Sequence, residues 1–599
     1  MQLRKKLTIF IAGLLVSGSL FSTATANAAE KATLHERVAA QQQVQFDIFL
    51  PLQHRAQLEK LLTDLNDSSS PRYHQWLTPD EFNRRFGARD NAVSSIVNEL
   101  NAYGLKSERI SSQQIHVHGD ARAVEQIFLT ELHIAKFRNG HQTIAAAREI
   151  SLPGSMAADK AVVTGLSGFI RVHRHSQRVA ATAIPANRYS SAGPYWFDDL
   201  KQAYSYPSYQ NYNGKGVTIG ILMTGGYNPA DMDLYFSHEK IATPKISEVD
   251  IDGGAPYDPN NSFETHLDLQ QSGGMAPKAH FVLYNLPDLT DEHILAGLTK
   301  IIDQNKADVV SMSFGGPEVG YLPAYNGGQD VTAILGVYDD MFARGNAQGI
   351  TFIASSGDAG ALSIPPAACF EPGATSACGS VQPSVEMPSS SPHVTGVGGT
   401  NLVTTVSPTS LDSNYVSEQA FDDPLEGDIF YGTPATGSVW GSGGGNSIYY
   451  PKPAFQLLAN TGSNYRTVPD LSLHMGGCPV GAVQPCGPDR SADIVAIDGK
   501  YYGVIGTSAS APDFAGLTAL KIQRTGTRLG NENPEIYALA LQNSGALKVY
   551  RDDIPGYNGL YPAHKGYNRV LGNGTVIGIN FLLAPFAPTA GTPQTPSNP

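Results

Sequence analysis

The chain has 599 residues and a formal net charge of -13, with 61 Gly, 39 Pro and only 16% charged residues. That length exceeds one ordinary domain, and the turn-rich composition excludes a coiled coil and a charge-rich disordered chain. The acidic balance argues against nucleic acid as a partner, because that would require a clustered basic face.

Residues 1–28 read as a secretory signal peptide. Arg4, Lys5 and Lys6 precede an apolar run from Leu7 to Leu20, and Ala26-Asn27-Ala28 is a small-x-small cleavage site. The run is short for a membrane span and no later one is longer. The mature protein is therefore expected to be secreted, into the medium or the periplasm, and off the membrane.

From 29 to 175, strand-like "VQFDIFL" (44–50) and "QIHVHG" (114–119) alternate with helix-like "HRAQLEKLLTDL" (54–65), "NAVSSIVNELNAYG" (91–104) and "ARAVEQIFLTEL" (121–132). This predicts a small α+β domain. His116 and His118 have the chemistry of metal ligands, but their alternation is the commoner pattern of exposed strand residues. Residues 176–195 are small, polar and weakly periodic and read as a linker.

The region 196–584 has apolar strands at 217–222, 280–285, 309–314, 351–356 and 393–398, and helical patterns at 291–305 and 330–348. It predicts an α/β domain whose parallel sheet is covered by helices on both faces. Residues 585–599, rich in Pro and Thr, read as a disordered tail. Residues 189–599 carry a net -19 and residues 1–188 a net +6. Opposite signs suggest docking, although drift in surface composition gives the same pattern as readily. The four cysteines fit an oxidising compartment. Cys369 with Cys378 and Cys478 with Cys486 is the simplest of three possible disulfide pairings.

The strongest chemical signal is "GTSASAP" (506–512) ahead of an apolar helical pattern. Ser508 would stand where a loop enters a helix, near backbone N–H groups able to hold an oxyanion. A nucleophilic serine needs a base. In subtilisin-like proteases the strand after "GKGV" ends in an aspartate, but here Met223 takes that place. His266, in "FETHLDLQ", is the only nearby histidine and has the wrong context. The same segment puts Glu264 and Asp268 four apart, on one helical face, where two carboxyls can hold and pass a proton. Asp358, in "TFIASSGDAG", follows a strand end, where open α/β sheets bind ligands.

Together these segments resemble the sedolisins, the serine-carboxyl peptidases. "YHQWLTPDEFNRRFG" (73–87) and "LPGSMAADKAVVTGLSGF" (152–169) resemble their activation prodomain. "ETHLD" (264–268), "SSGD" (355–358), "GTSASAP", "WGSGGGNSIYYPKPAFQ" (440–456) and "VPDLSL" (468–473) resemble their peptidase domain. The resemblance implies a subtilisin-like fold behind a ferredoxin-like prodomain, and a monomeric, self-processing zymogen of an acid-active endopeptidase. Its partners would be peptide substrates and its own prodomain. Ser508 would be the nucleophile, Glu264 the base, Asp268 its partner and Asp358 a protonated oxyanion donor. Ser313 and Gly315, in "SMSFGG", would pair with the substrate backbone. The resemblance also implies one Ca²⁺, held by the side chains of Asp553 and Asn568 and the main-chain oxygens of Ile554, His564 and Gly566. Asn568 stands where the family usually has Asp, which removes one negative charge.

A neutral subtilisin-like protease is disfavoured by Met223. A non-catalytic binding protein on a peptidase fold is disfavoured by the complete acid and serine set. An exported esterase would carry the Gly-x-Ser-x-Gly turn.

Overall fold

The computed structural model describes residues 30–584, apart from 138–141, 168, 171, 180–192, 372, 376–377, 411, 421–422, 425–427, 429, 479–490 and 546–547. The signal peptide and tail expected at 1–28 and 585–599, and most of the expected linker, lie outside the described residues.

The N-terminal domain is a four-stranded antiparallel sheet in the spatial order Lys106–Arg109, Gln114–Asp120, Gln43–Phe49, Val162–Thr164. Numbered along the chain this is 2-3-1-4, the ferredoxin-like order. Helices Arg55–Asn66, Pro79–Phe86, Asp90–Ala102 and Ala121–Phe128 connect the strands. Thr78 starts the second of these with a capping box, accepting the Glu81 N–H while Glu81 accepts the Thr78 N–H. The helix expected over 121–132 stops at Phe128. Leu129 turns left-handed with φ 52°, and Leu132–Lys136 continues as a strand. The apolar run there serves two elements in succession, so its periodicity overshoots the helix.

The second domain is built on a ten-stranded, mainly parallel sheet. Its path runs Lys245–Asp250, His280–Leu286, Thr218–Thr224, Val309–Met312, Thr351–Ser355, Thr395–Val406, Leu471–His474, Thr575–Val576, Tyr550–Arg551, and Ser413–Gln419 pairs antiparallel to Thr395–Val406. Helices Phe263–Met275 and Thr507–Thr525 pack against one another and one face. Asp291–Gln304 and Ala333–Ala347 form the second packed pair. Close approach in the first pair depends on Gly516, where a Cβ would lie 2.3 Å from the Met275 Cβ. The central strands are buried apart from the half-buried first residues Thr218 and His280, as a sheet covered on both faces requires. The strand expected over 309–314 breaks at Ser313. Phe314–Pro317 then pairs with other partners, antiparallel to His173–Arg174 and to Glu386–Met387.

The two domains meet along helix Ala333–Ala347. Leu58, Leu61, Phe82 and Phe86 share an apolar cluster with Ala343 and Ala347. The Leu77 N–H donates to the Ala347 carbonyl at 2.9 Å, and Trp76 lies over Gly349 and Gly530, where any Cβ would collide with its ring. Among the described residues, the ion pairs across this contact away from the linker include Arg55 with Asp339 at 2.6 Å and with Asp340, and His393 with Glu59 at 3.7 Å. His116 is held by Asp47 at 3.0 Å, inside the first domain.

Candidate active site

Helix Phe263–Met275 is buried along its whole length, an unusual place for two acids. Glu264 lies in its first turn and Asp268 one turn later, both fully buried. Asp268 Oδ1 accepts the Ser313 hydroxyl at 2.5 Å. Helix Thr507–Thr525 begins at the residue before Ser508, after Gly506 with φ 140°. A side chain at Gly506 would place its Cβ 2.1 Å from the His175 carbonyl oxygen and 2.7 Å from Asp358 Oδ2. Only glycine fits, and those two oxygens flank the same point. The Ser508 hydroxyl donates to the Ser313 carbonyl at 3.2 Å.

Asp358 follows strand Thr351–Ser355 and is buried. Its Oδ1 accepts both the N–H and the hydroxyl of Thr507 at 2.8 Å, while its Oδ2 has no hydrogen-bond partner among the described residues. Burial pushes its pKa up to about 8, against the pull of His175 and the Thr507 bonds. It is therefore a neutral acid in acidic and neutral water, with its proton free for Oδ2. Burial also raises Glu264, opposed by the hydroxyls of Ser176 and Ser508 and by Arg174. Asp268 is raised strongly, by burial first and then by the neighbouring Glu264. The two carboxyls cannot both ionise readily, so they share protons.

The chain's own residues 173–178 run through this site. His173–Arg174 pairs with Phe314–Pro317, placing His173 opposite Gly315. Gln177–Arg178 pairs with Lys500–Ile505 on the other side. Between these short strands the Ser508 N–H donates to the His175 carbonyl at 3.0 Å, and the His175 N–H donates to the Ser313 carbonyl at 3.3 Å. The Ser176 hydroxyl donates to Glu264. The His175 ring fills a buried pocket, with Nε2 2.6 Å from Glu386 and Nδ1 2.7 Å from the Ser355 hydroxyl. Burial favours the neutral ring, but Glu386 outweighs it and the net pKa shift is upward. Glu386, also buried, is in turn lowered by His175 and His173.

The structure thus brings Glu264, Asp268, Asp358, Ser508, Ser313 and Gly315 to one place. His266 is elsewhere. Its Nδ1 donates to the Ala496 carbonyl at 2.9 Å, its Nε2 accepts the Asn228 N–H, and burial lowers its pKa. Met223 is core. Sequence reasoning missed His175, Ser176, Ser355 and Glu386. The histidines in "VHRHS", two residues after the prodomain-like "GLSGF", were the available signal.

Cys369 and Cys378 are bridged. Cys478 is also disulfide-bonded, while Cys486, its expected partner, lies outside the described residues. The residues expected to hold Ca²⁺ lie together in one loop region, but Asn568 turns its NH₂ group, not its oxygen, towards the carbonyls of His564 and Gly566. Side-chain ligation by Asn568 does not fit that arrangement. Among the described residues no helix is long and apolar enough to cross a membrane.

Residues 214–574 match the subtilase family, and residues 30–169 match the pro-kumamolisin activation domain. Kumamolisin of Bacillus sp. (strain MN-32) is 27% identical over 573 residues, covering 93% of this chain and 94% of its own. Sedolisin of Pseudomonas sp. (strain 101) is 26% identical over 554 residues, covering 90% and 86%. The solved structure of Pseudomonas sedolisin, a serine-carboxyl proteinase complexed with two molecules of pseudo-iodotyrostatin, superimposes with a TM-score of 0.54 at 24% identity, over 66% of this chain and 98% of that one.

Proposed function

The chain belongs to the subtilase family, as a serine peptidase of the sedolisin kind with its activation domain, and from that premise we propose that it is a secreted, acid-active endopeptidase made as a self-processing zymogen. One observation carries the reading. A peptide carbonyl, that of His175, is held by the Ser508 N–H, with Asp358 Oδ2, which has no hydrogen-bond partner among the described residues, beside it.

The chemistry follows from the placement of the groups. Ser508 Oγ turns from the Ser313 carbonyl towards Glu264 and gives it a proton while attacking the carbonyl carbon. Glu264 is the base, and the charge-sharing Asp268, anchored by Ser313, holds it in place. The carbonyl oxygen becomes an oxyanion between the Ser508 N–H and the neutral Asp358 carboxyl, whose Oδ2–H donates to it. Glu264 then returns the proton to the departing amide nitrogen, the C–N bond breaks and an acyl-enzyme remains on Ser508. Water, deprotonated by Glu264, releases the acid by the reverse sequence.

A carboxylate base suits acid. A histidine with an ordinary pKa near ~6.5 is charged at pH ~4, whereas a carboxyl base is still partly available there. Peptides would bind as residues 173–178 do, as a strand added to Phe314–Pro317, with a side chain entering the Glu386 pocket.

The test is a pH–activity profile on a denatured protein substrate for wild type, Ser508→Ala and Asp358→Asn. Wild type should be most active in acid and Ser508→Ala inert. Asp358→Asn keeps a donor that does not titrate, so its remaining activity should lack the loss that wild type shows as Asp358 deprotonates. A wild type that works only above neutral pH would refute the reading.

A further inference from the structure

The loop that would hold Ca²⁺ in a relative is closed in this chain by a side-chain amide. Asn568 Nδ2 donates to the His564 carbonyl at 2.8 Å and to the Gly566 carbonyl at 3.1 Å. Its Oδ1 accepts the N–H groups of Val570 at 3.1 Å and Leu571 at 3.0 Å. These four partners fix which amide atom faces which way. Flipping the amide would set its oxygen against two carbonyls and its NH₂ against two N–H groups. The atom facing the His564 and Gly566 carbonyls is therefore a donor, in the position where a cation would need an oxygen.

The surrounding charge agrees with this. Ca²⁺ takes six to eight oxygens, and its affinity rises with the number of carboxylates. Among the expected side-chain ligands only Asp553 is ionic, and it is exposed. The adjacent Asp552 side chain is paired with Lys548 at 3.1 Å, and its carbonyl is taken by the Gly566 N–H at 2.9 Å. The remaining cohesion is apolar and backbone-made. Ile554, Val570 and Leu571 share a buried cluster with Ala420. The Asn568 and Gly572 backbones exchange hydrogen bonds at 3.0 and 2.9 Å.

We propose that Asn568 does the work of the cation, so that this peptidase folds and holds its C-terminal loop without Ca²⁺. The loop matters to the active site. The Val570 carbonyl accepts the Ser442 hydroxyl at 2.8 Å, and the next residue, Gly443, donates its N–H to the Gly357 carbonyl beside Asp358. An amide in place of a dication removes a requirement that acid would compromise, because carboxylate ligands lose affinity as they protonate.

The experiment compares full-length wild type, Asn568→Asp and Asn568→Ala at neutral pH, by melting temperature in chelator against CaCl₂ and by calorimetric titration with CaCl₂. Wild type should melt at the same temperature in both and take up no Ca²⁺ at this loop. Asn568→Ala should melt lower than wild type, equally in both. Asn568→Asp replaces the donor with a second carboxylate oxygen facing the same carbonyls. It should melt lower than wild type in chelator and recover with Ca²⁺, with a binding heat that wild type lacks. A wild type whose melting rises with Ca²⁺, and whose rise disappears in Asn568→Ala, overturns the proposal. So does an Asn568→Asp protein that stays indifferent to Ca²⁺.

Discussion

The carbonyl oxygen of His175 accepts the backbone N–H of Ser508 at 3.0 Å, and the next side chain along, Ser176, donates to Glu264. The bond between residues 175 and 176 therefore lies across the candidate nucleophile and base, within the same chain. Acidified precursor should yield a first product beginning at Ser176. Because the bond is already seated, conversion should be first order, with a half-time unchanged on dilution. N-terminal sequencing and a dilution series check both. A first cut elsewhere, or a rate that falls with concentration, would mean that residues 173–178 are a plug, not a substrate. Ser508→Ala precursor, purified alone, should not convert.

The base is tested by isosteric substitution. Glu264→Gln keeps the shape and a partner for Ser176 but cannot take a proton. It should lower kcat on the order of 10⁴-fold, the scale of losses seen when a triad's proton chemistry is disabled. His266→Ala removes a ring whose two nitrogens are taken by the Ala496 carbonyl and the Asn228 N–H, and should leave kcat/KM nearly intact. Steady-state kinetics on one peptide distinguishes the two variants, and an inert His266→Ala that still folds would move the base away from Glu264.

Much of this site was readable in the sequence because each part depends on a local backbone feature. Gly506 before Ser508 marks a turn that only glycine makes, the four-residue spacing of Glu264 and Asp268 is one helical turn, and Asp358 stands three residues beyond the end of an apolar strand. Residues 173–178 were not readable, because they have no periodicity of their own. They are extended only because Phe314–Pro317 and Lys500–Ile505 lie on either side. The break at Ser313 is hidden for the same reason. Its carbonyl and hydroxyl serve Ser508 and Asp268, two residues distant in sequence. The Asn568 substitution was visible, but which amide atom faces the carbonyls is decided by Val570 and Leu571 closing around it.

Docking of the first domain offers another test. Arg55 bridges Asp339 and Asp340 and also binds Glu59 at 2.7 Å. Burial raises the Asp340 pKa despite the pull of Arg55, so acid protonates Asp340 earlier than an ordinary aspartate and releases one arm of the clamp. Arg55→Ala removes the clamp at every pH. Its conversion should begin at a higher pH than that of wild type, read as the midpoint of precursor loss on gels. An unchanged midpoint would assign docking to the contacts that remain without Arg55: the apolar packing of Phe82, Phe86 and Trp76, the Leu77–Ala347 backbone bond and the Glu59–His393 pair.

The last prediction concerns stability against pH. Behind the nucleophile, Asp493 and Asp513 are fully buried, and all four of their carboxyl oxygens lack a hydrogen-bond partner among the described residues. Burial raises both far above the ordinary aspartate value, and Asp513 raises Asp493 further. In the unfolded chain each titrates near ~4. Between that value and the raised one, the folded state holds protons that the unfolded state has lost, so unfolding releases protons and stability falls as pH rises. The contribution is complete below about pH 4 and declines through neutrality. Glu264, Asp268 and Asp358 add to the same trend. Glu59 opposes it, being lowered to about 2 by His393 and Arg55 against the effect of burial, so its contribution is lost only in stronger acid. His266 and His474, which burial lowers (His474 to about 3), also oppose it as pH falls below the ordinary histidine value near ~6.5. The melting temperature of Ser508→Ala precursor, which cannot digest itself, should therefore be highest in mild acid and fall steadily towards alkaline pH. Adding Asp493→Asn and Asp513→Asn, which keep the shape but cannot ionise, should flatten that fall. If the doubly substituted protein loses stability with the same slope, the alkaline weakness lies with the active-site carboxyls, and Asp358→Asn becomes the substitution that should flatten it.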